Sequence, residues 1–460
     1  MPYPARTLLA LGALVLTCGA GLAVAGPPAP LGHDATMLRL LSTAQPGTAS
    51  VAAAPAPVAV PKAHCGKRSH PETALQGEVP AADRTSGRNL KPYSCNLEQL
   101  NVELGEGAGL QAAYYGSCAY YGTLGHGTRA LDVTDRRHPT LTASLLTPAM
   151  VDPWESLKAS PGRGLLAAVE GTLDGPTFFD VYDIREDCAH PQLRASLPMN
   201  ALGHEGEWSQ DGKTYYGTGI APGVMTAIDV TNPALPQIIT TANLNPGGLH
   251  GLSTNRSGNR VYLTAPNLAG AQVLMVLDTS EIQQRVKGAQ PKVLSTLSFP
   301  GGYIQHTIPI TSHGHPYLLL PDENAYGGLH VIDIADERHP RMVTTVLTEI
   351  QLPRNRARAD ATETGFAYNF HYCNVDRLVD PTVVACSVRG SGARVYDLRD
   401  VSHPRELAYF NPGAVGSTDS QTTAQIHLDA TRGELWFTDG TRGLIVCRFT
   451  NGVWPFRARR

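Results

Sequence analysis

The chain has 460 residues, a formal net charge of −3, 42% hydrophobic residues and 17% charged residues. That near-neutrality excludes a polybasic nucleic-acid binder, and the hydrophobic share excludes a chain disordered throughout. The 46 glycines and 35 prolines make up about one residue in six, which excludes coiled coils and helical solenoids, because both need long uninterrupted helices.

In chain order, the first feature is an address. Arg6, an apolar run from Leu8 to Leu16 and Ala23-Val24-Ala25 form a secretory signal peptide over residues 1–25. The alternative is lipoprotein anchoring at Cys18, but Thr17 precedes it where Gly or Ala is usual. The protein is therefore expected to be secreted or periplasmic. No later run reaches the roughly 18 apolar residues of a membrane span, so no transmembrane segment is expected. Residues 26–85, rich in Ala, Pro, Gly and Ser, are expected to be a disordered linker, and 86–460 the folded domain.

Export permits disulfides. Beyond the leader stand Cys65, Cys95, Cys118, Cys188, Cys373, Cys386 and Cys447, an odd number, so at least one is unpaired or pairs between chains. Cys373 and Cys386 flank a predicted hairpin and are placed to bridge adjacent strands. Spacing leaves the remaining pairing open. The absence of CxxC gives no support to a zinc knuckle or a thioredoxin-type site.

The folded part is a repeat. An apolar pair, Asp and another apolar residue recur around Asp132, Asp183, Asp229, Asp278, Asp333 and Asp397. Four copies run on to His138-Pro139, His190-Pro191, His339-Pro340 and His403-Pro404. A period near 50 residues, in short β-branched segments broken by Gly, Pro and Asp, fits a four-stranded propeller blade. Each Asp precedes a turn, where its carboxylate can accept backbone N–H bonds, so a structural role is expected for it and for the His-Pro pairs. Six Asp phrases give six blades. A last unit, residues 426–449, has three strands, and Leu100-Asn101-Val102-Glu103-Leu104 is predicted to supply its fourth. The expected fold is thus all-β, a single propeller of seven blades closed by strands from both ends.

The phrase "L-D-V-T-D…P" at Leu131–Asp135 resembles the LVIVD-repeat family, and the resemblance spans roughly residues 90–450. Tyr93-Ser94-Cys95-Asn96-Leu97 and Cys118-Ala119-Tyr120-Tyr121 also look like its exported bacterial members. The resemblance implies a β-propeller and carries no catalytic motif with it.

Histidines form a column at one phase of the repeat. His204, His250, His306 and His371 lie 25, 28, 27 and 26 residues before their third-strand Asp. His204, His250 and His306 each lie eight residues before a turn glycine, and His427 opens the last unit with Gly433 six residues on. Trp154 holds this phase in the second blade. The start of an innermost strand points to the propeller axis, so these five imidazoles could converge on a transition metal such as Fe, Cu, Mn or Zn. The logic is similar to that of carotenoid-cleaving dioxygenases, an analogy of arrangement. Glu205 and Glu155 are candidate carboxylates to orient the rings from a second layer. Asp322, Glu323 and Asp439 follow second strands, where they could line one mouth of the channel or sit in solvated loops. A metal-binding protein, with oxidative or hydrolytic chemistry on an unknown small molecule, is the expected function. The alternative is a scaffold without chemistry that engages an envelope protein, its His column lining a water-filled tunnel.

Overall fold

The computed structural model describes residues 57–454, except 124–125, 171–176, 200–202, 220–222, 246, 267–270, 301 and 358–365. The expected leader, the Cys18 alternative and residues 26–56 of the expected linker lie outside the described residues. Seven antiparallel sheets follow one another along the chain as blades 1 (112–145), 2 (158–199), 3 (205–245), 4 (252–300), 5 (308–346), 6 (370–411) and 7 (427–449). The fold is the seven-bladed propeller expected from the repeat. No helix among the described residues is long and apolar enough to cross a membrane.

A lone four-stranded sheet cannot cover its own faces, so each blade buries them against its neighbours. Seven apolar clusters do this, one between each adjacent pair of blades. Between blades 2 and 3, Leu165, Val169 and Phe179 meet Trp208, Tyr215 and Ile228. Between blades 7 and 1, Trp436 and Val446 meet Tyr121 and Leu131, which closes the ring. Each large side chain so buried contributes about 1.5–3 kcal/mol before entropy is counted.

The repeated Asp ends the third strand by the expected turn chemistry. Its Oδ1 accepts the backbone N–H two residues on at all six copies, from Asp132 to Thr134 (2.8 Å) through Asp397 to Arg399 (3.2 Å). In the outer turns that follow, each His of a His-Pro pair meets an Asp three residues back, as His190 Nδ1 meets Asp187 Oδ2 at 2.8 Å.

Ring closure uses strands from both ends, at a register other than the one predicted. Leu97–Gln99 completes blade 7 by pairing with Phe449, Arg448 and Cys447. Of the predicted 100–104 segment only Leu100 extends it, its N–H donating to Val446 O at 2.7 Å, because the Asn101 side chain ends the ladder. Its Nδ2 donates to Leu444 O, and its Oδ1 accepts the Val446 N–H. Val102 and Leu104 then turn out to solvent. Tyr93–Cys95 adds a fifth strand to blade 6. Between the two strands, Asn96 makes the corner at φ 58°, a left-handed conformation that Asn tolerates better than most residues. Its side chain binds the backbone of His64, Gly66 and Leu407.

Residues 57–85 of the expected linker are folded. Residues 57–92 pack against the propeller and include a short helix, Ala81–Ser86. Cys65 is disulfide-bonded to Cys95, and Arg394 of blade 6, fully buried, binds Glu72 and Glu406 at 2.6 and 3.2 Å. Ala/Pro-rich composition predicts a linker only where no tertiary partner exists, and Arg394 and Glu406 lie more than 300 residues away in sequence. Cys118–Cys188 joins blades 1 and 2. Cys373–Cys386 bridges adjacent strands of blade 6, and Cys447 is free and buried.

Candidate metal centre

Innermost strands of the blades run beside the axis, and at one end of it five acidic and imidazole side chains meet. Glu155 precedes the first strand of blade 2, His204 that of blade 3 and His250 that of blade 4, while His371 lies in Phe370–Val375 of blade 6. Glu323 comes from blade 5 by another route, the loop after its second strand, His315–Pro321. All five are buried, and what little exposure remains is on Glu323 (7%) and His204 (6%).

Their placement is fixed by the backbone. Trp154 adopts φ 45°, a costly left-handed conformation for a bulky residue, and so turns Glu155 in toward the axis. Glu155 N–H donates to His204 O at 3.1 Å. Glu323 N–H donates to Tyr303 O at 2.7 Å, and Asn369 Nδ2 donates to Glu323 O. Asp322 accepts the N–H groups of Tyr303 and Asn324 through Oδ1 and meets His330 Nε2 at 3.3 Å through Oδ2, which holds the loop carrying Glu323.

The imidazoles are oriented as metal ligands are. His250 Nδ1 lies 2.8 Å from Ile304 O and His371 Nδ1 lies 3.0 Å from Thr423 O, each a carbonyl of the next element around the ring. A carbonyl can only accept, so Nδ1 carries the proton and the neutral ring presents a lone pair at Nε2. Those Nε2 atoms face carboxylate oxygens. His204 Nε2 is 3.0 Å from Glu155 Oε2, and His250 Nε2 is 3.6 Å from both Glu155 Oε2 and Glu323 Oε2. His371 Nε2 is 3.2 Å from Glu155 Oε1 and 3.1 Å from Glu323 Oε1.

Proximity here is not hydrogen bonding throughout. His204 Nε2, His250 Nε2, Glu155 Oε2 and Glu323 Oε2 are buried without a hydrogen-bond partner, although they stand this close together. Leaving such atoms unmatched costs about 1–3 kcal/mol each, more for charged groups. Ligand atoms about 2.1 Å from a shared ion stand roughly 3.0 Å apart at octahedral angles and roughly 3.4 Å apart at tetrahedral ones. The observed separations of 3.0–3.6 Å match those edges. These buried His and Glu groups could hold a metal ion.

Without a cation, protons must do the matching. Burial disfavours the charged forms, but the three imidazoles outweigh it at Glu155 and hold its carboxyl well below the usual range. At His371, burial is outweighed by Glu323 and Glu155, which push the ring up to about 10. His250 is also raised against burial by Glu155 and Glu323. At His204 burial wins over Glu155, and the ring is lowered.

Of the five predicted histidines, His204, His250 and His371 come together and two do not join them. Counted along the strand pairings from the third-strand Asp, Gln305 rather than His306 shares the position of His204 and His250. The glycine ruler fails in blade 5 because its first hairpin turns tightly, Ser312 pairing with His315, whereas the first ladder of blade 4 ends at Thr254 and Val261. His306 therefore lies one layer down the axis, stacked on Tyr372 at 4.6 Å, and burial holds it well below its usual value. His427 lies farther along its strand, wedged between Tyr114 and Trp436 at 5.3 and 5.2 Å. Its six-residue distance to Gly433, against eight elsewhere, was the sign of that slip.

The carboxylates also change places. Glu155, expected behind the rings, is at the centre. Glu205 lies in the lower layer with Lys158, 3.3 Å away and equally buried, and burial against that lysine's pull raises it to about 7. Glu323 completes the set where blade 5 carries Gln305 at the axial position. Its place after a second strand was the only sequence sign of it.

No family model matches the chain, and neither does any curated protein. Solved structures share its fold. Kuenenia stuttgartiensis hydrazine synthase aligns over 76% of this chain and 97% of that one, at 12% identity and a TM-score of 0.52. The β-propeller domain of Myceliophteria thermophila Cps50 (Swd1) aligns over 77% and 100%, at 10% identity and 0.52. A functionally unknown protein from Desulfotomaculum acetoxidans aligns over 72% and 94%, at 11% identity and 0.51. Such identities speak for the fold alone.

Proposed function

We propose that this is an exported metalloprotein that binds transition metal at one end of the propeller axis, among Glu155, His204, His250, Glu323 and His371. The observation that carries the reading is the set of buried Nε2 and carboxylate lone pairs that face one another unbonded, with Nδ1 of two rings already committed to carbonyls. Three imidazoles and two carboxylates, with no thiolate or thioether, favour Fe, Mn or Zn over Cu. A bound ion of this kind supplies activation of water or of O2, and the slight exposure at His204 and Glu323 marks the side from which a small-molecule substrate would approach. Three disulfides fit an oxidising compartment, in keeping with the signal-like leader. Kinship with LVIVD-repeat proteins is proposed on the repeat phrase.

The test is elemental analysis of the mature protein purified without a polyhistidine tag, beside Glu155→Gln. The expected result is near-stoichiometric Fe, Mn or Zn in the native chain and its loss in the variant. A native protein that is metal-free and takes up none of these ions would instead support the scaffold reading.

A further inference from the structure

The five donors do not gather around one point. They form two triads, Glu155–His204–His250 and Glu155–Glu323–His371, and within each the donor atoms lie within 4.8 Å of one another. Individual oxygens sort the same way. Glu155 turns Oε2 toward Nε2 of His204 (3.0 Å) and His250 (3.6 Å), and Oε1 toward Nε2 of His371 (3.2 Å). Glu323 divides likewise, with Oε2 3.6 Å from His250 and Oε1 3.1 Å from His371. Each carboxylate thus gives one oxygen to the His204/His250 side and the other to the His371 side.

A carboxylate spanning two cations through separate oxygens has this arrangement, and Glu155 belongs to both triads. We propose that the centre is dinuclear: two divalent transition-metal ions bridged by Glu155, one also bound by His204 and His250, the other by Glu323 and His371. The inference rests on the metal reading above and deepens it. Three buried atoms without hydrogen-bond partners make up the first position, Glu155 Oε2, His204 Nε2 and His250 Nε2, while Glu323 Oε2, also unpartnered, approaches it only at His250, 3.6 Å away. That position therefore has three protein ligands. The second also has three, Glu155, Glu323 and His371, so each leaves room for an outside ligand. Carboxylate bridges hold paired ions about 3.5–4 Å apart, a spacing suited to polarising one bound group from two sides. Two glutamates neutralise one divalent ion only. The charge of the other calls for an anionic oxygen ligand, hydroxide or a small oxyanion, and that is the substrate class the centre would take.

The test uses the full mature chain, stripped by chelation and titrated with Mn(II), with bound metal counted by elemental analysis and its spin state read by EPR. The expected result is two equivalents per chain and an exchange-coupled signal. His371→Ala and the near-isosteric Glu323→Gln, each checked for a native near-UV circular dichroism spectrum, are expected to hold one equivalent with the signal of an isolated ion. One equivalent in the native chain, with an isolated-ion signal at saturation, would overturn the dinuclear centre and leave the metal reading standing. A native chain that binds no Mn, Fe or Zn overturns both.

Discussion

Two pairs of glutamates are buried in this propeller, and they are neutralised differently. At the outer edge of blade 6, Glu72 and Glu406 share the fully buried guanidinium of Arg394, and their other oxygens accept N–H groups from Gly77, Ala63 and Gln76. At the axis, Glu155 and Glu323 face three imidazoles, and each keeps an oxygen with no partner. The first pair is complete within the chain, because guanidinium stays charged at any working pH. The second relies on imidazoles, whose charge comes and goes with a proton, so its neutralisation depends on the solution. Completeness suits a fastening, and dependence on the solution suits a binding centre.

The largest expected effect breaks the first pair. Arg394→Ala strands two buried carboxylates, and urea denaturation is expected to show a loss of about 3–5 kcal/mol. A loss under about 1 kcal/mol would mean that residues 57–92 are not fastened there. Next comes metal added to the second pair. At a free concentration about 100 times its dissociation constant, stabilisation of about 2.7 kcal/mol is expected in the native chain and none in Glu155→Gln.

The pH profile sharpens the contrast further. His371 is raised in the fold to about 10, so its contribution to the metal-free protein is full below the unfolded value and lost as pH rises through about 10. Glu155 is depressed, so its contribution is present above its unfolded value and lost as pH falls. Thermal melts of stripped protein should therefore decline on the alkaline side. Metal should remove that decline, since the ion takes the place of the proton. An alkaline decline that persists unchanged in His371→Gln would assign it elsewhere. The smallest effect is expected at His427→Phe, which keeps the aromatic stack outside the centre. Stability should change by less than about 1.5 kcal/mol and metal content not at all.

What could be read from sequence follows the range of the forces involved. The propeller was legible because six of the seven third strands end in the same local device, an Asp that caps its own turn two residues on. The axial column was legible to within a few residues. Spacing to a turn glycine counts loop residues as well as strand residues, and the hairpins of blades 5 and 7 differ from those of blades 3 and 4. Glu323 escaped because it enters from a loop between strands, where the repeat imposes no phase. Residues 57–92 escaped because their order comes from Cys95, Arg394 and Leu347, partners that composition cannot announce.

The stitch at Asn96 sets an order of events. Glu98 is made early and its partner Arg448 comes 350 residues later, so the strand that completes blade 7 must wait for nearly the whole chain. Bringing such distant segments together costs loop entropy that only the finished ring repays, which makes closure a late and slow step. The axial donors come from blades 2, 3, 4, 5 and 6, and their geometry depends on the curvature that closure imposes. On the proposed reading, an ion would reach full coordination only after the last blade is in place, and loading of the centre would report that folding is finished.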